Sequence, residues 1–351
     1  MRLLALLLPV LLVGVSATPE DKTDIAVRRA VSFLVTQQDK EGAIQTQWQW
    51  ANRTAITAMS ILAMASVGHQ PSDDSPEGRC MKKALAFVLK PEHQDVDGYF
   101  GNADGSRMYG HGIITLTLAE LLGMGADASQ DKLLTERCKA AVQLILRAQS
   151  VSKGGSDEGG WRYTPDAYDS DLSASVWQVS ALRSAKNAGI EVPKGAIDRA
   201  VEYIKGTYYS SRDASGKPTD LKSATAYGVN GRAPVYSTAA AGLLSMQMCG
   251  KYEGMEVQAC ADWLMERKPD PDGLWFYYGT YYYAQGMYQR GGKYAEAAKR
   301  NVEEALLPRQ ASDGSWSATQ HREVEAGTVY CTSLGILALA VKYHFLPIYQ
   351  R

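Results

Sequence analysis

The stretch DAYDSDLSASVWQ, residues 166–178, sets Asp166, Asp169 and Asp171 within six positions and then turns helical. Such a cluster suits a general acid, a cation site or a capped helix end. Asp171 stands where a helix should begin, and free N–H groups and the helix dipole there favour the carboxylate over its acid. An N-cap is the simplest reading of Asp171, with Asp169 a turn residue. The sharper alternative makes Asp171 a general acid assisted by Asp169, because neighbouring carboxylates help keep one of them protonated. Metal binding is disfavoured: the loop lacks the Gly and distal Glu of a calcium loop, and the five histidines form no Cys/His cluster of zinc-ligand spacing. No cofactor is implied, since no phosphate loop or nucleophile motif occurs.

Aromatic residues form the second candidate set. Tyr109, Trp161, Tyr163, Trp177, Tyr236, Tyr278, Tyr282 and Tyr330 are the expected ligand-binding residues, with Trp48, Trp50 and Trp275 in equivalent places. Aromatic faces at a cavity mouth can bury an apolar chain, hold a cation or stack on a sugar. Arg162, Arg232 and Arg322 fall in turns on the same side.

These residues are positioned by a repeat. The segments RRAVSFLV, KKALAFVL, KAAVQLIL, DRAVEYIK, QACADWLM and RNVEEALL align on Ala30, Ala84, Ala141, Ala200, Cys260 and Val302, recurring every ~42–60 residues. Each is amphipathic and is followed by a Gly-containing turn and a second helix rich in Ala, Gly, Ser and Thr. Helices apolar on every side are buried, and small residues let them approach closely. The pattern therefore predicts an inner and an outer layer of six hairpins, closed into an all-α, α/α toroid, because closure hides the ends that an open array must cap. The run Phe276–Tyr283 is rich in β-prone tyrosine, yet the repeat register makes it helical. Inner helices of such a ring start at one rim, which gathers the aromatics and six helix N-termini, a setting that favours an anion.

The turn QASDGSW, residues 310–316, has a Gln closing the outer helix, an Asp-Gly turn and a Trp leading inward; GGWRY at 159–163, DGYFG at 97–101 and DGLWFYYG at 272–279 are looser versions. This pattern resembles the QW-type repeat of the squalene cyclase and protein prenyltransferase β-subunit superfamily, and is similar to exported bacterial proteins known only by this repeat. The resemblance covers residues 20 to 351 and implies a ring with a central cavity. Zinc prenyltransfer is disfavoured, because Gly327, Tyr277 and Gly279 stand where that family's ligands should fall. The class II cyclase acid motif is matched by Asp169-Ser170-Asp171-Leu172, with Leu172 in place of the third Asp. A complement-type thioester would need Gly-Cys-Gly-Glu-Gln, which is not in the chain. The resemblance implies an apolar or isoprenoid-like ligand in the central cavity, with cyclase or isomerase chemistry at Asp171 as one alternative. A scaffold holding another exported protein by the rim and the 208–230 loop is the other.

The chain has 351 residues, a net charge of −1 and 45% hydrophobic residues. Near-neutral charge gives no reason to expect nucleic acid as a partner. MRLLALLLPVLLVGVSA fits a secretory signal, with cleavage expected after Ala17 and a single domain over 18–351 secreted or periplasmic. No later segment is expected to cross a membrane. Export permits disulfides. Cys249–Cys260 is the first candidate pair and Cys80–Cys138 the second, leaving Cys331; buried free thiols are the other reading.

Overall fold

The computed structural model describes residues 21–45, 51–229 and 231–349, which form twelve α-helices and no β-strand. The signal-like segment, Trp48 and Trp50 lie outside the described residues. The outer helices are α1 (Lys22–Thr36), α3 (Pro76–Val88), α5 (Ala128–Gln149), α7 (Lys194–Gly206), α9 (Met255–Met265) and α11 (Gly292–Leu306). The inner helices are α2 (Arg53–Ala65), α4 (Arg107–Glu120), α6 (Leu172–Asn187), α8 (Tyr236–Met248), α10 (Phe276–Arg290) and α12 (Glu323–Leu339). Each inner helix packs on the next, and α12 packs back on α2, so the ring closes. The Tyr-rich run 276–283 is helical, as its register demands.

The layers follow from the amino-acid pattern. All six aligned outer-helix positions, from Ala30 to Val302, are buried against the inner ring. Inner helices bury nearly every residue; in α2 all but Arg53 are buried. Small residues set their spacing. A Cβ on Gly112 of α4 would lie 2.6 Å from Gln178 Nε2 and 2.7 Å from Trp177 Cβ of α6.

One contact recurs between repeats. The Nε2 of Gln38, Gln94, Gln149 and Gln310, each just after an outer helix or at its end, donates to the carbonyl of a turn glycine: Gly42, Gly98, Gly159 and Gly314. The same nitrogen donates at 2.7–2.9 Å to a carbonyl in the next outer helix: Cys80, Arg137, Ala196 and Ala26. Gly314 has φ +92°, and a Cβ there would lie 2.4 Å from the Arg29 carbonyl oxygen; Gly42, Gly98 and Gly159 repeat that geometry. The residue two beyond each glycine donates its N–H inward, to Thr57, His111, Ser175 and Thr332 of the paired inner helix. In His111, Nδ1 accepts that N–H and Nε2 faces the Ala141 carbonyl, so the ring is neutral; burial pushes its pKa down to about 4. The Gln310–Ala26 bond joins the last repeat to the first by the same contact.

The segment Glu323–Lys342 is long and apolar enough to cross a membrane by composition, but it is the inner helix α12 with a short extension, mostly buried between α10 and α2. All five cysteines are free thiols. Four are buried, where they pack as small apolar groups.

Replacing Gln310 by Ala removes three hydrogen bonds, the two it donates to the Ala26 and Gly314 carbonyls and the one its Oε1 accepts from Arg29. We expect a loss of about 2–4 kcal/mol in urea-induced unfolding. A loss under about 0.5 kcal/mol, the range of an ordinary surface change, would show that the contact does not hold the ring closed.

Candidate functional site

The inner helices begin at one rim, and the chain's own acids take up N–H groups at three of the six N-termini. Asp171 caps α6, accepting from Ala174 N–H at 2.8 Å. Asp104, from the loop before α4, accepts from Ala55 N–H of α2 at 3.0 Å. Glu323, in the first turn of α12, accepts from the Tyr277 and Tyr278 N–H groups of α10 at 3.1 and 2.9 Å. Burial raises the Glu323 carboxyl above its ordinary value, and those N–H groups pull it back down. The rim therefore carries resident carboxylates where the sequence suggested an incoming anion. Left-handed backbone recurs at the same level: Asn52, Arg107, Trp275 and His321, with φ of 57–61°, stand at or just before the starts of α2, α4, α10 and α12. Such strain in non-glycine residues clusters at functional sites.

Asp171 is the centre of one wall. Its side chain is 1% exposed. One oxygen accepts from Ser173 Oγ at 2.7 Å and from Ala174 N–H. The other accepts from Tyr227 OH at 3.0 Å and lies 3.0 Å from Arg162 Nε. Burial raises the carboxyl above the usual aspartate range, while Ser173, Ala174 N–H, Tyr227 and Arg162 work against that rise. Asp169 is more than half exposed and pairs with the same guanidinium at 2.5 Å. Arg162 is thus clamped by both acids, with its face over Tyr163 at 4.8 Å and toward Tyr227 at 5.9 Å.

The aromatics divide by depth. Tyr109 and Tyr163 stack with centroids 5.7 Å apart; the Tyr109 hydroxyl bonds Ser173 Oγ, and the Tyr163 hydroxyl pairs with that of Tyr227. Tyr278 donates its hydroxyl to the Ser173 carbonyl at 3.4 Å, crossing from α10 to α6. Tyr330 is half-buried on α12, within electrostatic reach of Glu323, Tyr278 and Tyr109. These four gather at the mouth end of the ring. Below it, Trp177 of α6 stacks on Tyr281 of α10 at 5.8 Å and meets Tyr282 edge-on at 5.6 Å. All three are at most 2% exposed, so they fill the ring at that level.

Two expected ligand residues lie elsewhere. Trp161 is buried against α5, donating Nε1–H to the Ile145 carbonyl at 2.9 Å. Tyr236 packs on Tyr283, whose hydroxyl accepts from Asn301 of α11, so it points toward the outer layer. Arg232 and Arg322 are exposed. No cluster of three or more His, Cys, Asp or Glu fit to hold a metal occurs among the described residues.

Sequence reasoning missed Tyr227 and Glu323. Tyr227 comes from the loop after α7, whose residues 208–229 fold on themselves through the Tyr208–Thr225 and Arg212–Pro218 bridges. Its carbonyl accepts from Leu172 N–H at 2.8 Å, which brings the loop into the wall. Only the polarity of that loop signalled it. Glu323 carried a fainter signal, an acid in the first turn of an inner helix.

No protein-family model and no curated protein matches the chain. Several solved structures share its fold. The GH76A alpha-1,6-mannanase from Salegentibacter sp. HEL1_6 superposes with a TM-score of 0.63 at 10% identity, over 93% of this chain and 100% of that one. Cellobiose 2-epimerase from Bacillus thermoamylovorans B4167 gives 0.61 at 11%, over 91% and 99%. A type II terpene cyclase from Scytonema aligns more loosely, at 0.40 and 14%, over 93% and 99%. At these identities the likeness shows the fold alone, a toroid common to several enzyme families and not specific to the prenyltransferase type.

Asp171→Asn keeps a capping oxygen and loses the ion pair, while Asp171→Ala loses both. We expect about 1 kcal/mol of destabilisation for Asn and about 2–3 kcal/mol for Ala in chemical unfolding. Equal losses would contradict the capping role.

Proposed function

We propose that the mouth of the ring binds a small polyhydroxylated, sugar-like molecule. The observation that carries this reading is the Tyr109–Tyr163–Arg162–Tyr227 cluster, which sets aromatic faces beside a clamped guanidinium and acidic oxygens. A sugar offers an apolar ring face for stacking and hydroxyls for charged partners. A wholly apolar ligand at the same place would desolvate Arg162 and Asp169 without replacing their water, which is costly.

An isoprenoid chain in the centre of the ring, the ligand implied by the sequence resemblance, requires Trp177, Tyr281 and Tyr282 to part. In the mouth reading Asp171 is a positioning residue. Its oxygens are already engaged by three hydrogen bonds and the Arg162 ion pair, and their task is to hold Arg162 and Tyr227 in place. Proton donation from Asp171, as a cyclase needs, would break up this arrangement.

Calorimetric titration of the full-length protein with alpha-1,6-mannotriose, cellobiose and the isoprenoid alcohol farnesol tests the reading. We expect binding of at least one sugar, weakened about tenfold or more by Tyr109→Ala or Tyr163→Ala, consistent with loss of a stacking face. Binding of farnesol alone, blocked by changes at Trp177 and indifferent to Tyr109, would overturn it in favour of a central apolar site.

A further inference from the structure

The end of the ring opposite the mouth is closed by the chain itself. Past α12 the chain reaches His344, whose φ of 55° lies in the left-handed region, and then turns inward. Leu346 and Ile348 become buried, flanked by exposed Phe345 and Pro347. Ile348 N–H donates to Glu120 Oε2 at 3.2 Å, at the end of α4. Ser184 of α6 donates its hydroxyl to the other Glu120 oxygen. The Tyr349 hydroxyl pairs with that of Tyr281 on α10. Helices α4 and α6 are neighbours while α10 stands beyond α8, so residues 346–349 reach across the interior of the ring. Tyr281 is the partner on which Trp177 stacks, so the segment supports that aromatic layer from below.

We propose that Leu346–Tyr349 is a releasable stopper, latched at Glu120, that closes the ring from the end opposite the mouth. The latch is small: one backbone bond to a carboxylate, one phenol pair and two apolar side chains. Its hinge, His344, is already held in a left-handed conformation that only the surrounding structure sustains.

The anchoring acid also makes the latch sensitive to pH. Around Glu120 stand Ser184 from α6, Tyr281 from α10, and Tyr349 and the Ile348 amide from the segment itself; no cation figures among its interactions. Burial pushes its pKa from 4.5 up to about 7. With the segment out, water reaches the carboxyl and its pKa falls back toward the ordinary value. The latched form therefore binds more protons between these values. Latching is strongest below about 4.5 and weakens as pH rises through about 7.

Hydrogen–deuterium exchange of the full chain at pH 5 and pH 8, corrected for the intrinsic rate, reads the latch directly. We expect protection of the C-terminal peptide containing Ile348 to fall about tenfold or more at pH 8, while peptides from α5 keep theirs. Glu120→Gln, neutral at both pH values and able to accept the same N–H, should retain the pH 5 protection at pH 8. Tyr349→Phe, which loses only the phenol pair, should lower protection at both pH values and keep the slope. Wild-type protection that does not change with pH overturns the proposal, as does a slope that survives in Glu120→Gln. The wild-type result decides alone if a variant does not fold.

Discussion

The ring depends on a glutamine that bonds two carbonyls at once. A helical hairpin with an apolar inner helix is unstable alone, and what joins it to its neighbour must fix both distance and rotation. Gln38, Gln94, Gln149 and Gln310 do this by tying a turn glycine to the following outer helix. The glycine is required because a side chain there would meet the neighbour's backbone. Four of six junctions use this device, including the one where the ring closes. The remaining two, leading into α8 and α10, lack the glutamine. At the first of these the loop before α8 is tied instead to its own inner helix, with Thr225 and Thr238 bonding reciprocally.

Fixing the outer contacts fixes the rim. Every inner helix enters from the same end, and each entry leaves N–H groups that need acceptors. Asp104, Asp171 and Glu323 supply them from within the chain, which turns an anion-attracting rim into one with buried carboxylates and hydroxyl-bearing aromatics. Asp171 does more than cap. Because Arg162 and Tyr227 converge on its second oxygen, the acid that starts α6 also positions the mouth cluster. Below, large aromatics from α6 and α10 meet across the interior and fill the ring at that level.

Much of this was legible in the sequence. The alternation of amphipathic and all-apolar helices gave the two layers, and the Gln–Gly–Trp turn at 310–316 marked the closing junction. The capping position of Asp171 followed from a carboxylate placed just before an apolar run. What stayed hidden was long-range. Trp161 and Trp177 look alike as residues near one inner helix, yet one turns out toward α5 and the other in toward α10, a choice set by packing rather than by position in the turn. Tyr227 sits in a polar loop with no periodicity to place it. The closing of the far end rests on Glu120, which reads as an ordinary helix residue until its burial is known.

The claim at the centre of this account is that the ligand site is the aromatic and charged cluster at the mouth and not the middle of the ring. A crystal structure of the protein soaked with whichever titrated compound binds most tightly tests it most directly. The account predicts ligand density against Tyr109 and Tyr163, within hydrogen-bonding distance of Arg162 or Asp169, with Trp177 and Tyr281 still stacked beneath. Density between α6 and α10, with that stack broken, would contradict it.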